Sequence, residues 1–139
     1  MRLSPRKRWH NVLGACILPG GKQFSPYRQV FLADEAEPET IFSIVDGGTL
    51  PHGLQFETVS VDEDIRSLLL AEGHEERIVE RQPVCGLLTG QPSRAGTYSF
   101  SVEAKNQDGS CSKESYSLAV LLNLDSYRSY FDQPDSMLW

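Results

Sequence analysis

The sequence predicts an all-β protein, an antiparallel β-sandwich of about seven strands with one short inserted helix. Three observations predict it. Turns rich in Gly and Pro recur between short runs of β-forming residues. One run, Thr97-Tyr-Ser-Phe-Ser-Val-Glu-Ala104, alternates strictly, with Tyr98, Phe100, Val102 and Ala104 on one face. Only the stretch around residue 65 changes to helical spacing. A period of two sends successive side chains to opposite faces of a strand, so sheets that bury one face against each other are the expected outcome. A chain of 139 residues accommodates one domain with some decoration and a core that needs no covalent staples.

The elements follow in order. Residues 12–18 read as a first strand, broken by Pro19-Gly-Gly21. Tyr27-Arg-Gln-Val-Phe-Leu-Ala33 is a second, with Tyr27, Gln29, Phe31 and Ala33 on one face and Arg28, Val30 and Leu32 on the other, so both faces carry apolar groups. After an acidic loop, Thr40-Ile-Phe-Ser-Ile-Val45 is a strand that turns either Phe42 and Ile44 or Ile41 and Val45 to the core. Asp46-Gly-Gly48 stops it, because glycine adopts the positive φ of a tight turn at little cost. Leu50-Pro-His-Gly-Leu54 leads into Gln55–Val61, whose alternation leaves open which face is inside.

The helix is placed at 63–72. Ile65, Leu68, Leu69 and Glu72 stand at helical spacing, Asp62 is positioned to cap the first turn, and Gly73 offers a stop. Glu75 to Arg81 reads as a strand or a return loop ended by Pro83. Val84–Thr89 is a strand, Gly90-Gln-Pro-Ser-Arg-Ala-Gly96 a turn, and 97–104 the alternating strand noted above. Asn106-Gln-Asp-Gly109 makes a hairpin turn into the last long strand, 115–122.

Charge is unevenly distributed around a net −6. Arg2, Arg6, Lys7 and Arg8 leave nine basic against 19 acidic residues in the remainder, about −10. Such a body repels nucleic acid, so no sequence-specific nucleic-acid partner is expected, and only residues 1–11 form a basic arm. No run of about 18 apolar residues is available to span a bilayer. Val12-Leu-Gly-Ala-Cys16 has the look of a lipoprotein cleavage site, but the apolar stretch before it is too short for a signal. The expectation is a chain made and kept in a cytoplasm, or assembled into a particle there. Residues 123–139 form a tail carrying Leu124, Tyr127, Tyr130, Phe131, Met137, Leu138 and Trp139, able to dock on a neighbouring subunit or on the protein's own surface.

Cys16, Cys85 and Cys111 lack zinc-site spacing and read as free buried thiols, a Cys16–Cys111 disulfide being the alternative if first and last strands are neighbours. His10, His52 and His74 form no ligand pattern, and Asp34-Glu35, Asp62-Glu63-Asp64 and Asp108 lack the ligand spacing of a calcium loop. No G-x-S-x-G elbow, HExxH or phosphate loop occurs, so the reading is non-enzymatic, with no catalytic residue, metal or cofactor.

Gly48-x-Leu50-Pro51-x-Gly53-Leu54, followed by Gly86-x-x-x-Gly90-x-Pro92-x-x-Ala95-Gly96-Thr97-Tyr98-x-Phe100-x-Val102, resembles the immunoglobulin-like, cadherin-like domain of bacterial surface proteins. Tyr27 and Phe42-Ser-Ile44 match as well, and the resemblance covers about residues 17–122. It implies an immunoglobulin-like sandwich at 12–122. About thirty residues separate the two motifs where that family usually has about ten, which marks 57–84 as an insertion.

Similar single domains serve as head decoration, neck or tail parts of bacteriophages. The resemblance therefore implies a virion component, assembled in the host cytoplasm, that binds other protein subunits or copies of itself. Its candidate contacts are Arg6, Lys7, Arg8 and Trp9 in the arm, Leu68 and Leu69 in the insertion, and Tyr127, Tyr130, Phe131 and Trp139 in the tail. The alternative is a carbohydrate- or surface-binding adhesion module on a bacterial surface.

Overall fold

The structure is a computed structural model, and it describes residues 2–5 and 15–124. In chain order these form β1 (Leu3–Ser4), β2 (Cys16–Ile17), β3 (Gly21–Lys22), β4 (Tyr27–Ala33), β5 (Ile41–Val45), β6 (Leu54–Ser60), α1 (Glu63–Ala71), α2 (Glu76–Val79), β7 (Val84–Gly90), β8 (Gly96–Lys105) and β9 (Cys111–Leu121). One sheet has the order β1-β4-β7-β6 and the other β2-β9-β8-β5, with β3 also pairing β9. Pairing is antiparallel except for β2 and β3, which run parallel to β9. The two sheets pack face to face as an all-β immunoglobulin-like sandwich.

The space between the sheets is filled by the alternating residues. Phe100, Val102 and Ala104 of β8 are buried there with Tyr98 packed at the margin, as the strict alternation predicts. Phe31 of β4 stands edge-on to Tyr116 of β9, with ring centroids 4.9 Å apart and planes at 72°, and Phe56 of β6 meets Phe31 at 5.6 Å. Such edge-to-face contacts place the positive rim of one ring against the negative face of the next. In β5, Phe42 and Ile44 turn inward while Ile41 is exposed, which resolves the alternative left open by that strand.

β4 carries apolar groups on both faces because both are covered. Tyr27, Phe31 and Ala33 join the inter-sheet core. Val30 and Leu32 point outward into a second cluster with Ile65 and Leu69 of α1, Val79 of α2 and Cys85 of β7. Asp62 starts α1 as expected, its Oδ1 accepting from the Ile65 amide at 2.9 Å. The insertion is thus a helical layer on the outer face of the β1-β4-β7-β6 sheet. It occupies 61–83 rather than 57–84, since β6 runs to Ser60 and pairs with β7 throughout.

Several expectations are corrected. The stretch 75–81 holds the short helix α2, so the insertion carries two helices, joined at a turn where Gly73 has φ +93°. The described part of the first strand is only Cys16–Ile17, the residues 12–14 lying outside the description. The arm does not begin at residue 1: Leu3 is buried in the core, β1 pairs with β4, and the Arg2 amide donates to Asp34 Oδ1 at 2.6 Å. No disulfide joins the cysteines, and Cys111 is exposed rather than buried. First and last strands are indeed neighbours, but Cys16 stands opposite Tyr116, five residues along β9 from Cys111. At a rise of about 3.4 Å per residue this exceeds the reach of a disulfide.

Candidate interaction surface

The two glycine-proline motifs lie side by side at one pole of the sandwich. Leu54 and Tyr27 both stand opposite Gly90 in the sheet, so the Pro51-His-Gly53 turn and the turn after β7 leave the same edge together. The Ser93 amide donates to the His52 carbonyl at 2.9 Å, and His52 Nδ1 and Ser93 Oγ share a hydrogen bond of 2.7 Å. The Tyr98 hydroxyl closes the second turn by donating to the Arg94 carbonyl at 2.9 Å. Pro51 and Pro92 are fully buried between these turns. These hydrogen bonds hold the pole.

A third segment is tied to the same pole. Lys22-Gln-Phe-Ser25 forms a turn closed by the Ser25 amide on the Lys22 carbonyl, and Phe24 occupies its third position with φ +64°, where Gly or Asn is usual. The Phe24 amide donates to the Pro92 carbonyl at 2.7 Å, and Gln23 Nε2 donates to the Ser93 carbonyl at 2.9 Å. Gln23 also receives the end of β9: its amide donates to Leu121, and Asn123 Nδ2 donates to its carbonyl at 3.1 Å. The outcome is an apolar pole. Phe24 is 47% exposed, Leu121 65%, Leu122 54% and Leu124 69%. Backbone hydrogen bonds hold this turn and strand end together while the large apolar side chains stay exposed.

The family model described as "Putative Ig domain" matches residues 11–121. The chain belongs to that family. Among solved structures, the Ig domain is similar to the endo-fucoidan hydrolase MfFcnA9 from glycoside hydrolase family 107, at 20% identity and a TM-score of 0.46. The similarity covers 78% of this chain and 15% of that one, so the chain corresponds to a small part of that protein's length. No curated protein matches.

Of the residues expected to meet partners, Leu69 is corrected: it is 0% exposed and fills the cluster beneath α1. Leu68 is half-buried against the same cluster, and the apolar side chains that this layer does present to solvent are Leu70 and Ile78. The spacing that identified the helix also identified its buried face, which is why Leu69 points to β4. Arg6, Lys7, Arg8, Trp9, Tyr127, Tyr130, Phe131 and Trp139 lie outside the described residues. Phe24 was not singled out by the sequence; its signal is a large aromatic inside a Lys-Gln-Phe-Ser-Pro turn, where small polar residues are the rule.

Two ionisable groups of the Ig domain, Tyr27 and Cys85, are buried. Burial, and then the Glu72 carboxylate, push the Tyr27 phenol up, and its hydroxyl donates to the Pro19 carbonyl at 2.8 Å. Burial pushes the Cys85 thiol up to about 12, with Asp62 adding to the effect. Both groups stay protonated at neutral pH and are poor nucleophiles. Among the described residues no three of His, Cys, Asp and Glu converge as a metal site, and no described helix is long and apolar enough to cross a membrane. What the arrangement offers chemically is an apolar contact surface on a rigid Ig scaffold.

Proposed function

We propose that this Ig domain is a non-enzymatic assembly module, a structural component of a bacteriophage particle in its head decoration, neck or tail. The observation that carries the reading is the pole at which Phe24, Leu121, Leu122 and Leu124 are held exposed beside the start of the aromatic segment 125–139. A large apolar group presented on a strained turn gains stability when another surface covers it, here that of a partner. The arm, the exposed side chains of the insertion and the aromatic segment extend this contact to neighbouring protein subunits, copies of the chain among them. On this reading the protein resides in the virion after assembly in the host cytoplasm.

The adhesion reading, on a bacterial surface with a carbohydrate ligand, is less well supported. Sugar binding favours a flat platform of aromatic rings, whereas the pole combines one phenylalanine with three leucines. Aliphatic side chains around a single ring suit a protein surface.

The test is incorporation. An antibody against the chain is expected to label purified virions from the phage that encodes it. A chain lacking 125–139, or carrying Phe24→Ser with Leu122→Ser, should fold and stay in the unassembled fraction. Virions free of the protein in cells that express it, or wild-type incorporation of both variants, would sink the assignment.

A further inference from the structure

Among the described residues β1 pairs β4 at Leu32 and Ala33, and further along β4, Gln29 and Val30 share an open space with Glu72 at the C-terminal end of α1. A cavity of about 290 Å³ opens there between Pro5, Pro19, Gln29, Val30, Glu72 and His74. Gln29 is 7% exposed, and its Nε2 donates to the Val30 carbonyl at 2.9 Å. A carbonyl only accepts, so the amide nitrogen must face it, and the amide oxygen is turned the other way. That oxygen takes no hydrogen bond from any described residue and is not among the sealed atoms. It therefore retains access to the open space that Gln29 lines. An acceptor open to the cavity can take a hydrogen bond from a donor that enters it.

The other groups around the cavity share its preference. Glu72 sits on the rim, and among the described residues its carboxylate has His74 Nε2 3.9 Å away, beyond hydrogen-bond distance. Pro5 and Pro19 have no N–H to offer, and their carbonyls already accept from Tyr116 at 3.1 Å and Tyr27 at 2.8 Å. Val30 adds an apolar wall.

We propose that this cavity receives a guanidinium group, the side chain of an arginine presented by a protein partner. A guanidinium is planar, carries five donors and binds a carboxylate through two parallel hydrogen bonds, leaving further donors for Gln29 Oε1. It is also weakly hydrated, so enclosing it costs less than enclosing an ammonium, and its alkyl stem can lie along Val30. The acidic body draws a cation towards the site. The site does not depend on the particle assignment, which is tested separately by incorporation.

The experiment is a titration of the isotope-labelled full chain, followed by NMR, with N-acetyl-arginine methylamide and with its uncharged analogue N-acetyl-citrulline methylamide. Saturable shifts of the Gln29 side-chain amide, Val30 and His74 are expected with the arginine probe and none with citrulline. Glu72→Gln, on the exposed rim, should weaken the arginine probe by about fivefold, the order of one charged contact at a partly open site. Gln29→Met, checked for a native spectrum, should weaken it with Glu72 intact. Equal responses to the two probes, shifts elsewhere, or wild-type affinity in Glu72→Gln would overturn the proposal. Tighter probe binding by the full chain carrying Arg6→Gln and Arg8→Gln would show its own basic segment filling the cavity, and would overturn the assignment to a partner.

Discussion

Gly53 and Gly90 touch backbone to backbone: a β-carbon on Gly90 would stand 2.1 Å from the Gly53 carbonyl oxygen, and one on Gly53 2.1 Å from that of Gln91. Both also have positive φ, +98° at Gly53 and +139° at Gly90. The contact joins the two glycine-proline motifs and holds the turns from which the apolar pole is built.

Gly53→Ala and Gly90→Ala are each expected to cost about 3 kcal/mol or more, since the obstruction is backbone that cannot rotate away. Gly47, at φ +67° with nothing within 4 Å of an added β-carbon, is the control. Gly47→Ala should cost only about 1 kcal/mol, the penalty of the left-handed backbone alone. Urea unfolding midpoints at constant slope measure the difference.

The two neighbouring leucines of α1 should behave oppositely. Leu69→Ala opens a cavity between α1 and β4 and is expected to cost about 2–5 kcal/mol. Leu70→Ser, on the exposed side, should change stability by less than about 0.5 kcal/mol. Denaturant titration of the two variants checks both; equal costs would mean that the helical layer is not seated on Val30 and Leu32.

Asn106 closes the loop before β5 against the β8–β9 hairpin. It accepts from the Thr40 hydroxyl and donates from Nδ2 to the Glu35 carbonyl and to Ser110 Oγ, both at 3.2 Å. Asn106→Ala leaves the buried Thr40 hydroxyl without its acceptor, and should cost about 1–3 kcal/mol. Amide exchange in residues 34–40 should rise along with it.

Thiol chemistry distinguishes the cysteines. Cys111 is exposed while Cys16 and Cys85 are buried, so one thiol per native chain should react quickly with a thiol reagent, and Cys111→Ser should abolish that phase. Two fast thiols would contradict the burial.

The raised Cys85 thiol also sets a pH dependence. Its pKa is about 12 in the fold against 9.0 for the free group, so above pH 9 the unfolded chain loses a proton that the folded chain keeps. Its contribution is complete below pH 9 and is lost as pH rises towards 12. Tyr27, also pushed up, adds to the fall. Stability measured across this window should drop less steeply in Cys85→Ala than in the parent, after correction for the lost volume.

The strands were legible because their signals are local. In β8, every second residue from Tyr98 to Ala104 is apolar, and a strand reports that alternation without reference to the rest of the chain. The Asp62 cap and the Ile65, Leu68, Leu69 spacing placed α1 within one residue of its end for the same reason. The charged stretch 75–81 was harder: with only Ile78 and Val79 apolar, four helical residues are too few to show a period. The short strands β1 and β3 carry two residues each and leave no pattern at all.

By itself the sequence determined the sandwich, its turns and the inward face of β8, because alternation and glycine-proline chemistry act over a few bonds. Only the tertiary structure decided what covers each face. It alone shows that Val30 and Leu32 lie under the insertion, that Leu69 is core and Leu70 surface, and that Phe24, distant in sequence, joins Leu121, Leu122 and Leu124 at one pole. It also places Gln29 beside a cavity. Burial depends on elements remote in the chain, and an apolar residue reads the same in sequence whether its neighbour is its own helix, a partner or water.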